Sequence, residues 1–365
     1  MAAERRPRVL HLVTRNQPRG AESAALMLAD ALAGRGYDTR LVALARTTGP
    51  ELAGVPVLGT SPLGPRTLLR LRSEVRGADV VIAHGSRTLP AVVLAAAGLR
   101  RRLIYQNIGD PLFWAGERWR HRRVRFLLGR MSAVAALTEQ SALVLEEHFD
   151  VPAGRLLVIR NMRDGHRFHP PTREGRTAAR AALGLEPADR VVAIIGALSP
   201  EKRVGLAIEA AARVPGAVLL VAGDGPERPA LEKLAGEVPG TTRFLGSLTD
   251  VVPLLHACDV LLMTSESEGV PGVLIEAGLC GVPAVSTDVG FVSDVVEHGR
   301  TGLLVRTAGA ADLAGCLEEA LDDRERLGAE ARTRCLERFE LDSVVDQWTR
   351  LLGPAVTDRP GPPSS

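Results

Sequence analysis

This sequence predicts an α/β protein built as two doubly wound parallel sheets, and three observations carry that prediction. Short runs rich in valine and leucine alternate with helical patterns along nearly the whole chain. The alternation breaks once, at a proline-containing segment before the middle, and then restarts. The 365 residues give each half room for a core of its own. Strands covered on both faces read as continuous apolar runs, and parallel neighbours need a crossover helix, so the alternation and the composition agree.

The first half opens with RVLHLVT from Arg8, runs through the helical GAESAALMLADALAGRG to DTRLVAL, and continues with DVVIAHG and a helix through LPAVVLAAAG. RRLIYQN, a long basic helix over about 117–130, AVAALT and a last strand at LLVIRN follow. Segment 163–174, RDGHRFHPPTRE, has two consecutive prolines and no period, as a linker does. The second half restarts with RVVAIIGAL at 190–198 and repeats the scheme with AVLLVAG, TRFLG, DVLLMT, PAVST and TGLLV as strands. Helical patterns then run from Ala310 to about Trp348. The expected division is an N-terminal domain over 1–165, a linker over 166–176 and a second domain over 177–338. A C-terminal helix over 339–352 crosses back to the first domain, and a disordered tail rich in Pro, Gly and Ser covers 353–365.

Both charge signs and 45% hydrophobic residues fit a soluble globular chain. No stretch approaches the roughly 20 apolar residues of a membrane span, and MAAERRPRVLHLV passes from charges straight into a strand, so the expected location is cytoplasmic. Cys258, Cys280, Cys316 and Cys335 lack the paired spacing and histidine neighbours of a zinc site. The net charge of +2 hides an asymmetry: residues 1–165 carry 25 Lys and Arg against 14 Asp and Glu, and residues 166–365 carry 20 against 29. A basic half of this kind draws in an anionic partner, or is an ordinary arginine-rich surface. Lysine occurs only as Lys202 and Lys233, a bias that fits genomic composition and makes Lys202, in GALSPEKR just after a strand, conspicuous. A compact ammonium there suits a phosphate oxygen or a departing group.

The chemistry concentrates in Ser265 to Gly278, SESEGVPGVLIEAG, where Glu268 and Glu276 stand with seven residues between them around a helix start. The buried-strand pattern DVLLMT precedes it, and Pro271 suits the first turn of a helix whose free amides attract anions. The geometry reads as a nucleoside-diphosphate cradle, set against the plainer reading of two glutamates on a solvated face. His84 is either a satisfied strand-end histidine or a substrate contact. GDGP at 223–226 is by itself an ordinary turn.

The ordered set GALSPEKR, GDGP, RFLG at 243–246, SESEGVPGVLIEAGLCGVPAVSTDVG and GRTGLLV resembles the retaining nucleotide-sugar glycosyltransferases of family 4, over about 120 residues. RGAE with its following helix, AHGSR and the linker extend the likeness to the first half. The resemblance implies the GT-B fold, two doubly wound Rossmann-like domains facing across a cleft, and a metal-independent enzyme whose nucleotide-sugar is a substrate rather than a cofactor. Glu276 would accept the ribose hydroxyls, Glu268 would lie by the transferred sugar, and the amides of Gly272, Val273 and Leu274 would meet the diphosphate. Lys202 would neutralise the leaving nucleoside diphosphate, with the acceptor proton going to a leaving-group oxygen and no dedicated basic residue. On the acceptor and sugar side the resemblance points to Gly20, His84 and Asn107, the last standing where family members present a histidine.

Two departures stand out. The loop after the first strand keeps only Gly20 of a near-diglycine pair, and Ala197 follows Gly196 where many family members carry an arginine. Arg203, or Arg19 from the facing loop, is the expected replacement cation on the donor side. In the helix over 117–130, Val124, Leu127, Leu128 and Met131 form a packing stripe, while Arg118, Arg122, Arg123 and Arg125 fall elsewhere with Trp119 and Phe126 among them. That face suits peripheral contact with a lipid headgroup layer on the inner membrane face, or the two aromatics pack against a neighbouring loop. No nucleic-acid partner is expected.

The reading is therefore a retaining glycosyltransferase acting on a lipid-linked saccharide, a sugar phosphate or a secondary metabolite. The alternatives are a nucleotide-sugar epimerase of the same architecture and a non-catalytic sugar or nucleic-acid binding protein. A phosphorylase lacks a lysine to anchor pyridoxal phosphate, and a dinucleotide oxidoreductase would need the third glycine that GDGPER lacks.

Overall fold

The computed structural model describes residues 7–17, 20–47, 51–112, 118–306 and 309–353, which fall into two compact units. Unit 1 is Met1–Asn161 with Asp342–Ser365, and unit 2 is Met162–Leu341.

Unit 1 contains β1 (Arg8–Arg15), α1 (Gly20–Gly34), β2 (Asp38–Ala45), β3 (Val57–Gly59), α2 (Pro65–Gly77), β4 (Val80–His84), α3 (Leu89–Ala96), β5 (Arg102–Gln106), α4 (Arg118–Leu128), β6 (Ala133–Ala136), α5 (Glu139–Phe149) and β7 (Leu156–Val158). The seven strands are parallel in the order β3-β2-β1-β4-β5-β6-β7. Unit 2 contains α6 (Arg173–Ala182), β8 (Arg190–Ile195), α7 (Val204–Ala211), β9 (Ala217–Ala222), α8 (Arg228–Glu237), β10 (Thr241–Gly246), α9 (Val252–Ala257), β11 (Val260–Met263), α10 (Gly272–Leu279), β12 (Ala284–Thr287), α11 (Val292–Val295), β13 (Gly302–Val305), α12 (Ala310–Asp322) and α13 (Arg324–Phe339). Its six strands are also parallel, in the order β10-β9-β8-β11-β12-β13. In both sheets the order reverses after the first strand of the unit, at β1/β4 and at β8/β11. Ligands of open parallel sheets bind at such a reversal, outside the carboxyl ends of the strands.

The apolar runs are strands because both faces are covered: every residue of β4, β6, β9, β11 and β12 is buried. The last helix, α14 (Leu341–Leu352), buries Trp348, Leu351 and Leu352. Within unit 1 Arg35 bonds Asp346 and Asp342 of this helix at 2.5 and 2.9 Å, and Arg102 bonds the carbonyls of Leu351 and Leu352 at its carboxyl end.

Several boundaries differ from expectation. Three elements of unit 1 were unread in the sequence: β3, α2 and α5. The unit boundary falls after Asn161 rather than at 165, because Arg163 pairs its main chain with Phe339 and Leu341 of unit 2. The segment 166–176 is not irregular throughout, since Thr172 caps α6 by accepting from the Gly175 amide at 3.0 Å and the helix starts at Arg173. The expected helix over 339–352 begins at Leu341, directly after α13. Residues 354–365 of the expected tail lie outside the described residues.

A polar seam crosses the buried centre of unit 1. His11 Nδ1 lies 3.1 Å from His84 Nε2, and His84 Nδ1 lies 2.6 Å from Gln106 Oε1, on the neighbouring strands β1, β4 and β5. With the Gln106 carbonyl accepting, His84 donates through Nδ1 and accepts through Nε2, so His11 donates through Nδ1 and both rings are neutral. Burial lowers the pKa of His84 to about 4, partly offset by the Gln106 bond, and burial together with the nearby His84 lowers that of His11 well below its ordinary value.

A histidine held neutral in the native state takes up its proton more readily when unfolded. Stability is therefore full above pH 6.5 and falls as the pH drops towards 4, by on the order of 3 kcal/mol from His84. Urea unfolding between pH 4.5 and 7 is expected to show this slope in the parent and a shallower one in His84→Gln. Equal slopes in the two proteins would remove the histidines as its cause.

Candidate functional site

The β8/β11 reversal of unit 2 is flanked by two loops that are bonded to one another. After β8, Gly196 to Leu198 leads into a single 3-10 turn, Pro200–Lys202. After β11, Thr264 and Ser265 lead to Glu268 and then to α10. The two loops are joined by main-chain and side-chain bonds: Glu266 N–H donates to Glu201 O at 2.8 Å, and Thr264 Oγ1 donates to Lys202 O at 2.9 Å and Arg203 O at 3.0 Å. Thr287, at the end of β12, donates to Ser265 O at 2.6 Å. Thr264, Ser265 and Thr287 are all buried, so these bonds satisfy polar groups that water does not reach.

This stitching brings Lys202 to Glu268. The ammonium lies 2.5 Å from Glu268 Oε1, which also accepts from Ser265 Oγ at 2.7 Å. The two residues assigned to the leaving group and to the sugar are thus one ion pair, with the lysine partly exposed and the carboxylate largely covered.

Arg203 has a different task from the one expected. Its Nε donates to Thr264 O at 2.9 Å and its Nη2 to Ser265 O at 3.2 Å, so the guanidinium fastens the β11 loop to the β8 loop. Its backbone sits in the left-handed region at φ 47°, which an arginine adopts only under compensation. Arg19, the other residue considered for the missing cation, lies outside the described residues, and position 197 carries no charge.

Helix α10 begins at Gly272 behind Pro271 and buries Leu274, Ile275, Ala277, Gly278 and Leu279. The amides of Gly272 and Val273 head its first turn, as the diphosphate cradle requires, while the Leu274 amide is bonded to Pro271 O at 3.2 Å. Glu276 lies one turn on and is held by a residue that the sequence reading passed over. Arg163 Nε donates to Glu276 Oε1 at 2.5 Å. Nothing in RDGHRF marks that arginine in sequence, because the contact crosses 113 positions.

GDGP proves to be more than a turn. Leu198 N–H donates to Asp224 O and Glu227 N–H to Leu198 O, so the loop after β9 wraps the loop after β8. Gly223, at φ 143°, and Gly225 are glycines because a Cβ would overlap the carbonyl oxygens of Gly196 and Leu198 respectively. RFLG contributes a tether: Arg243 bonds the carbonyls of Leu183 and Gly184 at 3.0 Å each.

The acceptor-side expectations fare differently. His84 is buried, with both ring nitrogens engaged by His11 and Gln106, which leaves it the satisfied strand-end histidine. Asn107 is fully buried, accepting from Tyr105 OH at 3.2 Å and donating to Gly109 O at 2.9 Å, so both bonds of its side chain serve its own strand and loop. Gly20 opens α1 with clear space where a side chain would be. Among the described residues no group of three or more His, Cys, Asp or Glu is placed to hold a metal ion.

Comparison with known proteins agrees with this geometry. Two family models match: Glycosyltransferase Family 4 over residues 18–167, and Glycosyl transferases group 1 over residues 175–337. The lipopolysaccharide core biosynthesis mannosyltransferase LpsB of Rhizobium meliloti (strain 1021) is 30% identical over 310 residues, covering 79% of this chain and 82% of that protein. The D-inositol 3-phosphate glycosyltransferase of Nocardia farcinica (strain IFM 10152) is 36% identical over 265 residues, covering 68% of this chain. The match takes in 55% of that relative, so the chain spans little more than half its length. A solved structure of Anabaena Alr3699/HepE in complex with UDP-glucose superposes with a TM-score of 0.84 at 23% identity, covering 95% of this chain and 99% of that one, a likeness of fold.

The wrapped loops make a stability prediction. Gly223→Ala is expected to destabilise unit 2 by about 1–3 kcal/mol in urea unfolding, through backbone strain and the clash with Gly196 O. Gly236→Ala, in open space on α8, is the control and should be neutral or slightly stabilising. Equal behaviour of the two variants would contradict the packing described for GDGP.

Proposed function

The chain belongs to glycosyltransferase family 4, and from that premise we propose that it moves a glycosyl group from a nucleoside-diphosphate sugar to an acceptor with retention of anomeric configuration. Its fold is GT-B. The observation that carries the proposal is the Lys202–Glu268 pair at 2.5 Å, one short loop ahead of the amino end of α10.

In this reading the bond from the sugar C1 to the diphosphate oxygen breaks as the bond from C1 to the acceptor oxygen forms on the same face, and the acceptor proton goes to the departing diphosphate. Negative charge grows on that leaving group. Lys202 and the first-turn amides of α10 meet it there, a stabilisation confined to the transition state and therefore catalytic. Glu268 sits beside the transferred sugar and Glu276 receives the ribose hydroxyls. Charge neutralisation is assigned to these groups rather than to a divalent ion. The proposed acceptor, a lipid-linked saccharide or a sugar phosphate, is of the kinds named in two relatives, lipopolysaccharide core and inositol phosphate.

A thermal-shift panel of uridine, guanosine and adenosine diphosphates and their sugars identifies the donor, since ligand binding raises the midpoint by mass action. With that donor, release of nucleoside diphosphate is expected only when acceptor is present, and to persist in excess chelator. Release that never depends on acceptor would favour a binding protein. Lys202→Ala should lower turnover by about 100-fold or more, the loss typical of an oxyanion donor, and unchanged turnover would make Lys202 a surface residue.

We also propose peripheral contact with an anionic membrane through α4. Val124, Leu127, Leu128 and Met131 are buried, whereas Trp119 and Phe126 are 57% and 58% exposed, which supports this reading over packing against a neighbouring loop. Arg123 and Arg120 lie over the Trp119 ring at 5.1 and 5.4 Å, and Arg130 lies 4.1 Å from the Phe126 centroid, so aromatic bodies and cations share one face. No helix among the described residues is long and apolar enough to cross a membrane. Vesicles containing anionic lipid should sediment the protein at low salt and release it at high salt, and Trp119→Ala with Phe126→Ala should weaken sedimentation. Sedimentation that these substitutions leave unchanged would count against α4.

A further inference from the structure

Position 197 is an alanine without charge, and Arg203 is committed to the carbonyls of Thr264 and Ser265. A different arginine stands at the amino end of α10. Arg163 enters unit 2 with its main chain fixed on both sides: its N–H donates to Phe339 O at 2.9 Å, and its carbonyl accepts from Leu341 N–H at 3.1 Å. Only 5% of the residue is exposed. Nη1 donates to Met162 O at 2.7 Å and Nε to Glu276 Oε1 at 2.5 Å. Nη2 lies against Gly272, in the space a side chain there would fill. Gly272 and Glu276 are four apart on one helix face, so the guanidinium covers the whole first turn of α10 on that face.

Resting on the reading of α10 as the donor helix, we propose that Arg163 is the second cation of the donor site, supplied from the entry to unit 2 in place of an arginine at position 197. A buried guanidinium needs partners, and Glu276 is the carboxylate that balances its charge. A diphosphate drawn to the first-turn amides meets the guanidinium already in place, and its planar fork can give two parallel bonds to phosphate oxygens. Glu276, no longer needed to balance that charge, is then free to accept the ribose hydroxyls. Gly272 follows from the same arrangement, since any side chain there would displace Nη2 from the helix end.

Calorimetric titration tests this with whichever of uridine, guanosine or adenosine diphosphate binds the parent, alongside the matching monophosphate. Arg163→Gln is expected to lower diphosphate affinity about tenfold or more and monophosphate affinity much less, while Arg163→Lys, which keeps the charge but not the fork, restores only part of the difference. Gly272→Ala, which keeps both charges but moves Nη2, should weaken diphosphate binding in the parent and add little in Arg163→Lys, which has no Nη2. That pair of backgrounds decides the matter if Arg163→Gln does not fold. A folded Arg163→Gln that binds diphosphate like the parent, or loses both nucleotides by the same factor, overturns the proposal, as does an equal effect of Gly272→Ala in both backgrounds. A parent that binds none of the three diphosphates overturns the donor reading, and this inference with it.

Discussion

The bonds from the Arg203 guanidinium to the carbonyls of Thr264 and Ser265 are the contacts on which the rest of the site depends. They close the loop after β8 onto the loop after β11, and they offset a left-handed backbone that is unfavourable for a residue with a Cβ. The only other non-glycine residue with positive φ among the described residues is Asp150, at a helix end in unit 1. Holding Arg203 in that conformation ends the turn Pro200–Lys202 and starts α7 immediately, which leaves Lys202 at the tip. The Lys202–Glu268 pair is therefore a consequence of backbone geometry and does not hold the loops together by itself. Each hydrogen bond to a charged group contributes about 1.5–3 kcal/mol, enough for two of them to outweigh the strain.

Charge at the site is balanced pairwise. Lys202 neutralises Glu268 and Arg163 neutralises Glu276, so each proposed donor cation is held by a proposed sugar or ribose carboxylate. An unpaired charge in either place would be costly to bury, and each pair keeps its partner in position until a ligand arrives. A nucleotide sugar carries both complements, a doubly anionic diphosphate for the cations and hydroxyl donors for the carboxylates. Both pairs can thus be exchanged for ligand contacts without leaving a buried charge alone.

What the sequence made legible was largely what burial on two faces imposes. The six strands of unit 2 were readable from their Val and Leu runs, and the helix start at Pro271 from its place after a buried strand. β3 escaped because three residues at a sheet edge carry no period, and α6 because the prolines before Thr172 suggested irregular chain although Thr172 is a helix cap. Lys202, Glu268 and Glu276 stood out as candidates because they lie in a recognisable order. Arg163 and the new role of Arg203 were not, since the direction of a long side chain is decided by tertiary packing and leaves no local pattern. For His84 and Asn107 the sequence left the task open for a related reason: a polar residue at a strand end reads alike whether it faces a ligand or bonds its neighbours, as both do here.

The arginine bias, first explained by composition alone, has a structural consequence at these positions. Arg203 reaches two carbonyls at once, and Arg163 reaches Met162 O and Glu276 and fills the space beside Gly272 from a single planar group. An ammonium has the charge but not the span, and could satisfy one of those directions at a time. Lys202 is the opposite case. It stands at the tip of a tight turn, meets one carboxylate oxygen and keeps rotational freedom on a partly exposed stem, which suits the leaving-group role proposed for it. The rigid cation thus stands where geometry is fixed, and one of the chain's two lysines stands where the proposed reaction needs a charge that can move.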